Sequence, residues 1–320
     1  MQEIHISSNE AGQRLDKLLG KYLNEAPKSF IYKMLRKKNI VLNGKKATGN
    51  EKLEKGDSVK LFLADETIEK FSKVVIQKTN AKLNIVYEDE DVVLVNKPVG
   101  MLSQKAEEKD VSLVEHLITY LLESGQLTKE ELRSFRPSIC NRLDRNTSGI
   151  VVCGKSLIGL QTMAKLFKDR TLKKYYLCLV KGEVKEPQYI KGFLWKDETK
   201  NQVVISKNER EESQPIETEY RPVLSLKNST LLEVHLITGR THQIRAHLSS
   251  NGHPVIGDYK YGDRKLNDLY KEKYGLKSQL LHAYRLEMPK MQKDLSQLSN
   301  KKFTAPLPEL FNKIIESEKN

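Results

Sequence analysis

Residues 83–98 read LNIVYEDEDVVLVNKP. Two apolar, β-branched runs flank an acidic turn at 88–91, the pattern of two strands joined by a short connection. Strands this close in sequence pair antiparallel, because a parallel return needs a crossover of a dozen residues or more. The stretches further along agree. SLVEHLITYLLESG (112–125) reads as a helix with Ser112 as N-cap, Glu115 at the third helical position and Gly125 as its stop. A strand at 150–154 and a helix at 157–169 follow. Strands are then expected at 173–184, 201–207, 216–227, 229–238 and 280–289, a helix within 239–252 and a closing helix at 307–317. Strict βαβ alternation is missing. The expected class is α+β, with a body on a mainly antiparallel mixed sheet flanked by helices.

Ahead of this body lies a small α/β module. RLDKLLGKYLN (14–24) puts Leu15, Leu18, Leu19 and Tyr22 on one helical face. SFIYKMLRKKN (29–39) turns Ile31, Met34 and Leu35 inward and leaves Lys33, Arg36, Lys37 and Lys38 as a basic rim. IVLNGKKA (40–47) reads as a strand with an Asn-Gly turn, and LEKGDSVKLFL (53–63) as a turn and a strand. Residues 64–80 change composition and read as a linker. The expected domains are 12–75, the module plus linker, and 80–320, the body.

Lys and Arg number 55 against 42 Asp and Glu, a net charge of +13. Such an excess points to a polyanionic partner, nucleic acid first and an anionic membrane surface second. No stretch approaches the ~20 apolar residues of a membrane span, and the N-terminus lacks a signal-peptide layout. The expected location is the cytoplasm. Cys140, Cys153 and Cys178 are odd in number and far apart, as reduced buried thiols are. No association stripe stands out, so a monomer is expected.

Two stretches carry chemistry. In NRLDRNTSG (141–149), Asp144 stands between Arg142 and Arg145 just before an apolar strand. Flanking cations would lower the pKa of such a carboxylate and ready it as nucleophile or base. The Thr-Ser-Gly that follows suits a tight turn holding it rigid. In GRTHQIRAHL (239–248), a helix is expected to begin at Gly239 to Thr241. Arg240, His242 and Arg245 crowd its start, where cations oppose the helix dipole but suit anion recognition or a carboxylate partner. The histidines show no HExxH spacing and no CxxC is present, so no metal site is expected. His282 reads as a core histidine. Tyr175 and Tyr176 share a strand, so one faces in and the other out, and either could stack on a base.

Taken together, NRLDRNTSG, KYY (174–176), GRTHQIRAHLSSNGHPVIGDYKYG (239–262) and LLHA (280–283) resemble the four blocks of the RluA family of RNA pseudouridine synthases. The family's first block is HRLDxxTSG, so Asn141 replaces its histidine. Residues 12–63 resemble the S4 RNA-binding domain. The resemblance implies Asp144, Tyr176 and Arg245 as the catalytic set: the carboxylate that acts on the nucleotide, the tyrosine packed on the target uracil, and the arginine bridged to the carboxylate. It implies Arg142 as the residue filling the gap left by a flipped base, with Arg240 and His242 beside it. In the module, Arg14, Lys17, Lys33, Arg36, Lys37 and Asn43 are implied RNA contacts. No cofactor is implied, since uracil is detached from N1, rotated and rejoined through C5. Attack at ribose C1′, attack at uracil C6 and proton abstraction giving a glycal all remain open. The implied substrate is structured RNA, with large-subunit (23S) ribosomal RNA or its assembly intermediates foremost, and no membrane partner. Two other readings stay open: a non-catalytic RNA-binding or ribosome-assembly factor, and a metal-dependent nucleic-acid hydrolase.

Overall fold

The computed structural model describes residues 1–80, 82–199 and 201–319. The first stretch contains β1 (Gln2–His5), α1 (Leu15–Tyr22), α2 (Lys28–Arg36), β2 (Ile40–Leu42), β3 (Lys45–Lys46), β4 (Ser58–Leu61) and α3 (Asp65–Phe71). Its four strands form their own antiparallel sheet in the order β1-β4-β2-β3. The apolar faces of α1 and α2 meet Ile40, Val59 and Leu61 in one core, as their spacing predicts. Asn43 and Gly44 make the β2–β3 turn with positive φ at both positions, the conformation that matches hairpin twist.

Two features differ from expectation. The sheet begins ten residues earlier, with β1 on the edge of β4. The expected linker also contains α3, whose Ile68 is fully buried in the small core and whose Phe71 packs on Phe30 at 4.8 Å between ring centroids. Two apolar residues in a polar run give too weak a period to read. Beyond α3 the chain is strapped to the body, where Thr79 bonds to Thr119 and His116.

The body holds β5 (Ile85–Glu88), β6 (Val92–Lys97), α4 (Leu113–Glu123), β7 (Ser138–Ile139), β8 (Ser148–Gly154), α5 (Leu157–Lys168), β9 (Lys173–Lys181), β10 (Gln188–Asp197), β11 (Gln202–Ser206), β12 (Gln214–Ser225), β13 (Ser229–Leu236), α6 (Gln243–Ser250), α7 (Arg264–Tyr274), β14 (Leu281–Glu287), β15 (Lys302–Thr304) and α8 (Glu309–Glu318). Eleven strands form one sheet along the path β11-β10-β12-β13-β9-β14-β8-β6-β5, with β15 on β14 and β7 on β8. Among the described residues its pairs are antiparallel except β14 with β8, which run parallel at the seam between the two halves.

Alternation explains why β6 and β8 read as unbroken apolar runs. Val93, Val95, Val151 and Cys153 face Leu113, Leu117, Ile118 and Leu121 of α4. Val92, Leu94, Ile150 and Val152 face Met163 of α5 together with Leu286, Met288 and Phe303. Both faces are covered, so neither side chain set is polar. Ser112 and Glu115 form the expected capping box of α4.

The seam sets one sequence requirement. Gly149 has φ +114, and a Cβ there would lie 2.3–2.7 Å from backbone atoms of Ala283 on β14. Gly149→Ala is expected to cost about 2–3 kcal/mol in urea unfolding; an unchanged midpoint would show that the strands separate freely at this point.

Candidate active site

Asp144 sits on the loop entering β8 and lines a cavity of about 680 Å3. Asp144, Tyr176, Arg245, His242, Arg142 and Arg240 all line it, though they come from three separate segments. The loop is held from several sides. Thr147 N–H closes a turn onto Asp144 O at 3.0 Å. The buried Ser103 hydroxyl accepts from Leu143 N (3.0 Å) and donates to Leu143 O (2.8 Å). Lys97, fully buried at the end of β6, donates to the carbonyls of Pro98, Met101 and Arg145 at 2.8–3.1 Å. Burial pushes this ammonium down to about 8, opposed by the charge of Asp144. Three carbonyls satisfy its three protons, and the loop after β6 is thereby tied to the loop that carries Asp144. Ser103→Ala would leave Leu143 N–H and C=O unpaired in the interior. It is expected to cost about 1–3 kcal/mol and to lower turnover more than RNA affinity, which a thermal melt and single-turnover kinetics would read.

The cations beside Asp144 are not the ones its sequence neighbours supply. Arg142 is exposed at the rim, and Arg145 turns away to donate to Gly100 O at 3.1 Å. The partner is Arg245, whose Nη1 lies 2.8 Å from Asp144 Oδ2. Arg245 is itself gripped by Asp258, with Nε–Oδ2 at 2.7 Å and Nη2–Oδ1 at 2.9 Å. Asp258 is 1% exposed and also accepts from the backbone N–H groups of Lys260 and Tyr261. Asn267 of α7 fixes this loop, accepting from Gly257 N and donating to Asp258 O. The bidentate pair sets the guanidinium plane, so one remaining N–H is aimed at Asp144. The two carboxylates keep Arg245 charged, their attraction outweighing the cost of its burial.

The helix carrying Arg245 begins at Gln243, later than the expected 239–241. Gln243 accepts from Arg240 N and Thr238 Oγ1 and so organises the loop itself. Residues 243–248 are all buried, which is why no apolar stripe shows in the sequence.

Tyr176 faces inward from β9 and is 8% exposed, and burial and Asp144 both push its phenol up. Tyr175 faces the other side of the sheet. Its ring is covered by His235 at 4.8 Å and by the Arg285 guanidinium at 4.1 Å, so it offers no free face to a base. Lys174 lines the cavity with its Nζ near Gly239, 3.2 Å from where a Cβ would sit. Burial and nearby Arg170 push Lys174 down to about 8.

Asn141 extends the short pairing of β7 with β8. Its Oδ1 accepts from Val152 N at 2.8 Å and its Nδ2 donates to Ile150 O at 3.4 Å. The amide thus stands in for a backbone unit along the edge of β8. His247 and His282 are core residues, both pushed down to about 4 by burial. His282 bonds Ser148 Oγ and Ala305 O. The module residues Arg14, Lys17, Lys33, Arg36, Lys37 and Asn43 are exposed but line no part of the cavity. Arg14 pairs with Asp16, and the Asn43 amide is occupied by Asp57 and Ser58 N. The sequence reading gave no role to Lys97, Ser103 or Asp258. A lysine closing an apolar strand and an aspartate in GDYKYG were the available signals.

Solved structures share this architecture. The chain superposes on Human RNA Pseudouridylate Synthase Domain Containing 4 with a TM-score of 0.58 at 23% identity, over 73% of this chain and 92% of that one. The class of fold is that of the pseudouridylate synthases. A family profile described as RNA pseudouridylate synthase matches residues 91–250, the span holding Asp144, Tyr176 and Arg245. The chain is also 32% identical to "Ribosomal large subunit pseudouridine synthase C" of Vibrio vulnificus, over 99% of this chain and 96% of that protein. The protein of the same name in Escherichia coli K12 is 31% identical, over 89% of this chain and 87% of that one. The chain therefore belongs to the RluA family of RNA pseudouridine synthases and is an RNA-modifying isomerase.

Proposed function

We propose that the substrate is large-subunit ribosomal RNA or its assembly intermediates, that residues 1–71 act as an S4-type RNA-binding module, and that the enzyme works as a cytoplasmic monomer. The observation that carries the reading is the Asp144–Arg245 pair in a cavity of about 680 Å3 that Arg142, Arg145, Arg170 and Arg240 also line. A cavity of that size accepts a nucleotide-sized ligand, and the cationic rim suits the phosphates on either side of it. The names of the relatives support the choice of RNA. Lys17, Lys33, Arg36 and Lys37 are exposed on α1 and on α2 and its C-terminal cap, which supports the role of the module. Three free thiols support a reducing compartment.

In the reaction, the N1–C1′ bond breaks, the uracil turns, and C5 bonds to C1′ while its hydrogen is lost. The C5 hydrogen leaves as a proton and N1 takes one up, so the product is an isomer of the uridine and no heavy atom of the base is lost. Among the described residues Asp144 is the one carboxylate lining the cavity, with its partner aligned, and it carries the covalent or proton-abstracting step. A flipped uridine costs a few kcal/mol in unstacking, which phosphate contacts along the rim and module offset. Mapping pseudouridine in ribosomal and transfer RNA, with and without the protein, tests the substrate. A site lost from large-subunit RNA is expected; a change confined to transfer RNA would overturn the choice. Arg36→Ala is expected to weaken RNA binding uniformly and to reduce the salt slope by about 1, leaving single-turnover rates at saturation unchanged.

A further inference from the structure

His242 occupies an unusual backbone position. It is the N-cap of α6, yet its φ of +54 and ψ of +16 place it in the left-handed region. Only a few per cent of residues other than glycine adopt that conformation, and where it persists it is commonly tied to function. Its side chain caps nothing in the helix. The turn instead swings the imidazole into the cavity beside Asp144.

The hydrogen-bond chain behind the ring fixes its proton. Val203 N–H donates to the Tyr261 phenol oxygen at 3.0 Å. That oxygen lies 2.8 Å from His242 Nδ1. The phenol oxygen already takes the Val203 N–H, and among the described residues Nδ1 is the one acceptor within its reach, so we assign Tyr261 as the donor and Nδ1 as the acceptor. Nε2 then carries the hydrogen. Among the described residues Nε2 has no hydrogen-bond partner: Asp144 Oδ2 is 3.7 Å away, beyond hydrogen-bond range. A half-buried N–H donor is therefore presented, unpaired, next to the carboxylate that meets the nucleotide. Burial disfavours the charged imidazolium here, with Arg245 and Lys260 adding to that effect and Asp144 and Asp258 opposing it.

We propose that His242 is a catalytic hydrogen-bond donor, its Nε2–H binding the O2 carbonyl of the target uracil and stabilising the negative charge that the ring takes up as the N1–C1′ bond breaks. O2 adjoins N1, so a donor beside Asp144 meets it whichever of ribose C1′ or ring C6 the carboxylate engages. The bonding pair of N1–C1′ moves onto the uracil, spread over N1 and O2. No proton is transferred, and the donor returns unchanged when C5 joins C1′. A preorganised donor aimed at developing charge acts most strongly in the transition state. The inference rests on the reading of the cavity as a uridine site.

Three substitutions separate this role from a structural one. His242→Asn keeps an acceptor for Tyr261 at the place of Nδ1, tolerates the left-handed backbone and removes the donor. His242→Gln can place an amide N–H where Nε2 was, but loses the link to Tyr261. His242→Met supplies neither. The probe is a large-subunit RNA transcript carrying uridine tritiated at C5, whose label is released when C5 joins C1′. Single-turnover rates are measured at saturating RNA, with RNA affinity by filter binding and folding by thermal melts. Asn and Met are expected to lose about 10²–10³-fold in rate at affinity within about twofold, and Gln to recover at least about tenfold of that loss. Asn faster than Gln, Asn equal to Gln, or all three at the wild-type rate would overturn the donor role. Should Asn melt early, the comparison of Gln with Met decides alone. Wild-type protein that releases no tritium overturns the substrate reading and the inference with it, whereas an active wild type with an unaffected Asn variant overturns the inference only.

Discussion

Asp144→Asn is expected to abolish pseudouridine formation, by at least about 10⁴-fold, in a protein that still folds and binds RNA. The amide matches the carboxylate in shape but can neither attack carbon nor take a proton. Arg245 keeps its two bonds to Asp258 in this variant, so the guanidinium is not stranded and the melting temperature is expected to stay near that of the wild type. Two measurements check it: pseudouridine mapping in cells carrying only the variant, and single-turnover kinetics on the purified protein. Turnover within about a hundredfold of wild type would move the covalent step to another group. Loss of cooperative melting would show that Asp144 is a structural member of the ion-pair network.

Arg245→Met has the second large effect, and it reaches stability as well as rate. Asp258 would be left as a fully buried carboxylate with two backbone N–H donors and no countercharge. Breaking one side of a buried pair costs about 3–5 kcal/mol, which corresponds to a fall of roughly 10 °C in melting temperature for a body of this size. Arg245→Lys discriminates charge from geometry. Lysine retains the positive charge but cannot form the bidentate bond to Asp258 while reaching Asp144. It is expected to recover part of the stability and little of the activity. Full activity in the lysine variant would mean that Asp144 needs only a nearby charge.

How much of this was legible varies with the range over which each feature is determined. The strands β6 and β8, the capping box of α4 and the faces of α1 and α2 are set by neighbours a few residues away, and the sequence pattern shows them. The strand β10 (QYIKGFLWKD) went unread because Gly192 and the lysines on either side break its alternation. The helix α7 went unread although Asp263 caps its start and Gly275 ends it. At the site, Asp144, Tyr176 and Arg245 were marked by the motifs that hold them. Adjacency suggested Arg142 and Arg145 as the cations beside Asp144, but the structure uses an arginine 101 residues away. Asp258 stood within a quoted motif without a role, since its work is to orient Arg245 and not to meet substrate. Lys97 closes an apolar strand, and only the fold reveals three carbonyls converging on it.

The parallel seam of β8 with β14 has a consequence for when the enzyme comes into being. Ser148 and His282, which bond across it, are 134 residues apart in the chain. Contacts of such long sequence separation form late, because the intervening loop must be closed before they reward it. Asp144 enters β8, whereas Arg245 and Asp258 lie on the segment leading to β14. During synthesis the N-terminal module can be complete while Asp144 still lacks its partner. Assembly of the Asp144–Arg245 pair is thereby withheld until nearly the whole chain has been made and zipped along one strand pair, so a truncated or half-folded copy is not a stray modifier.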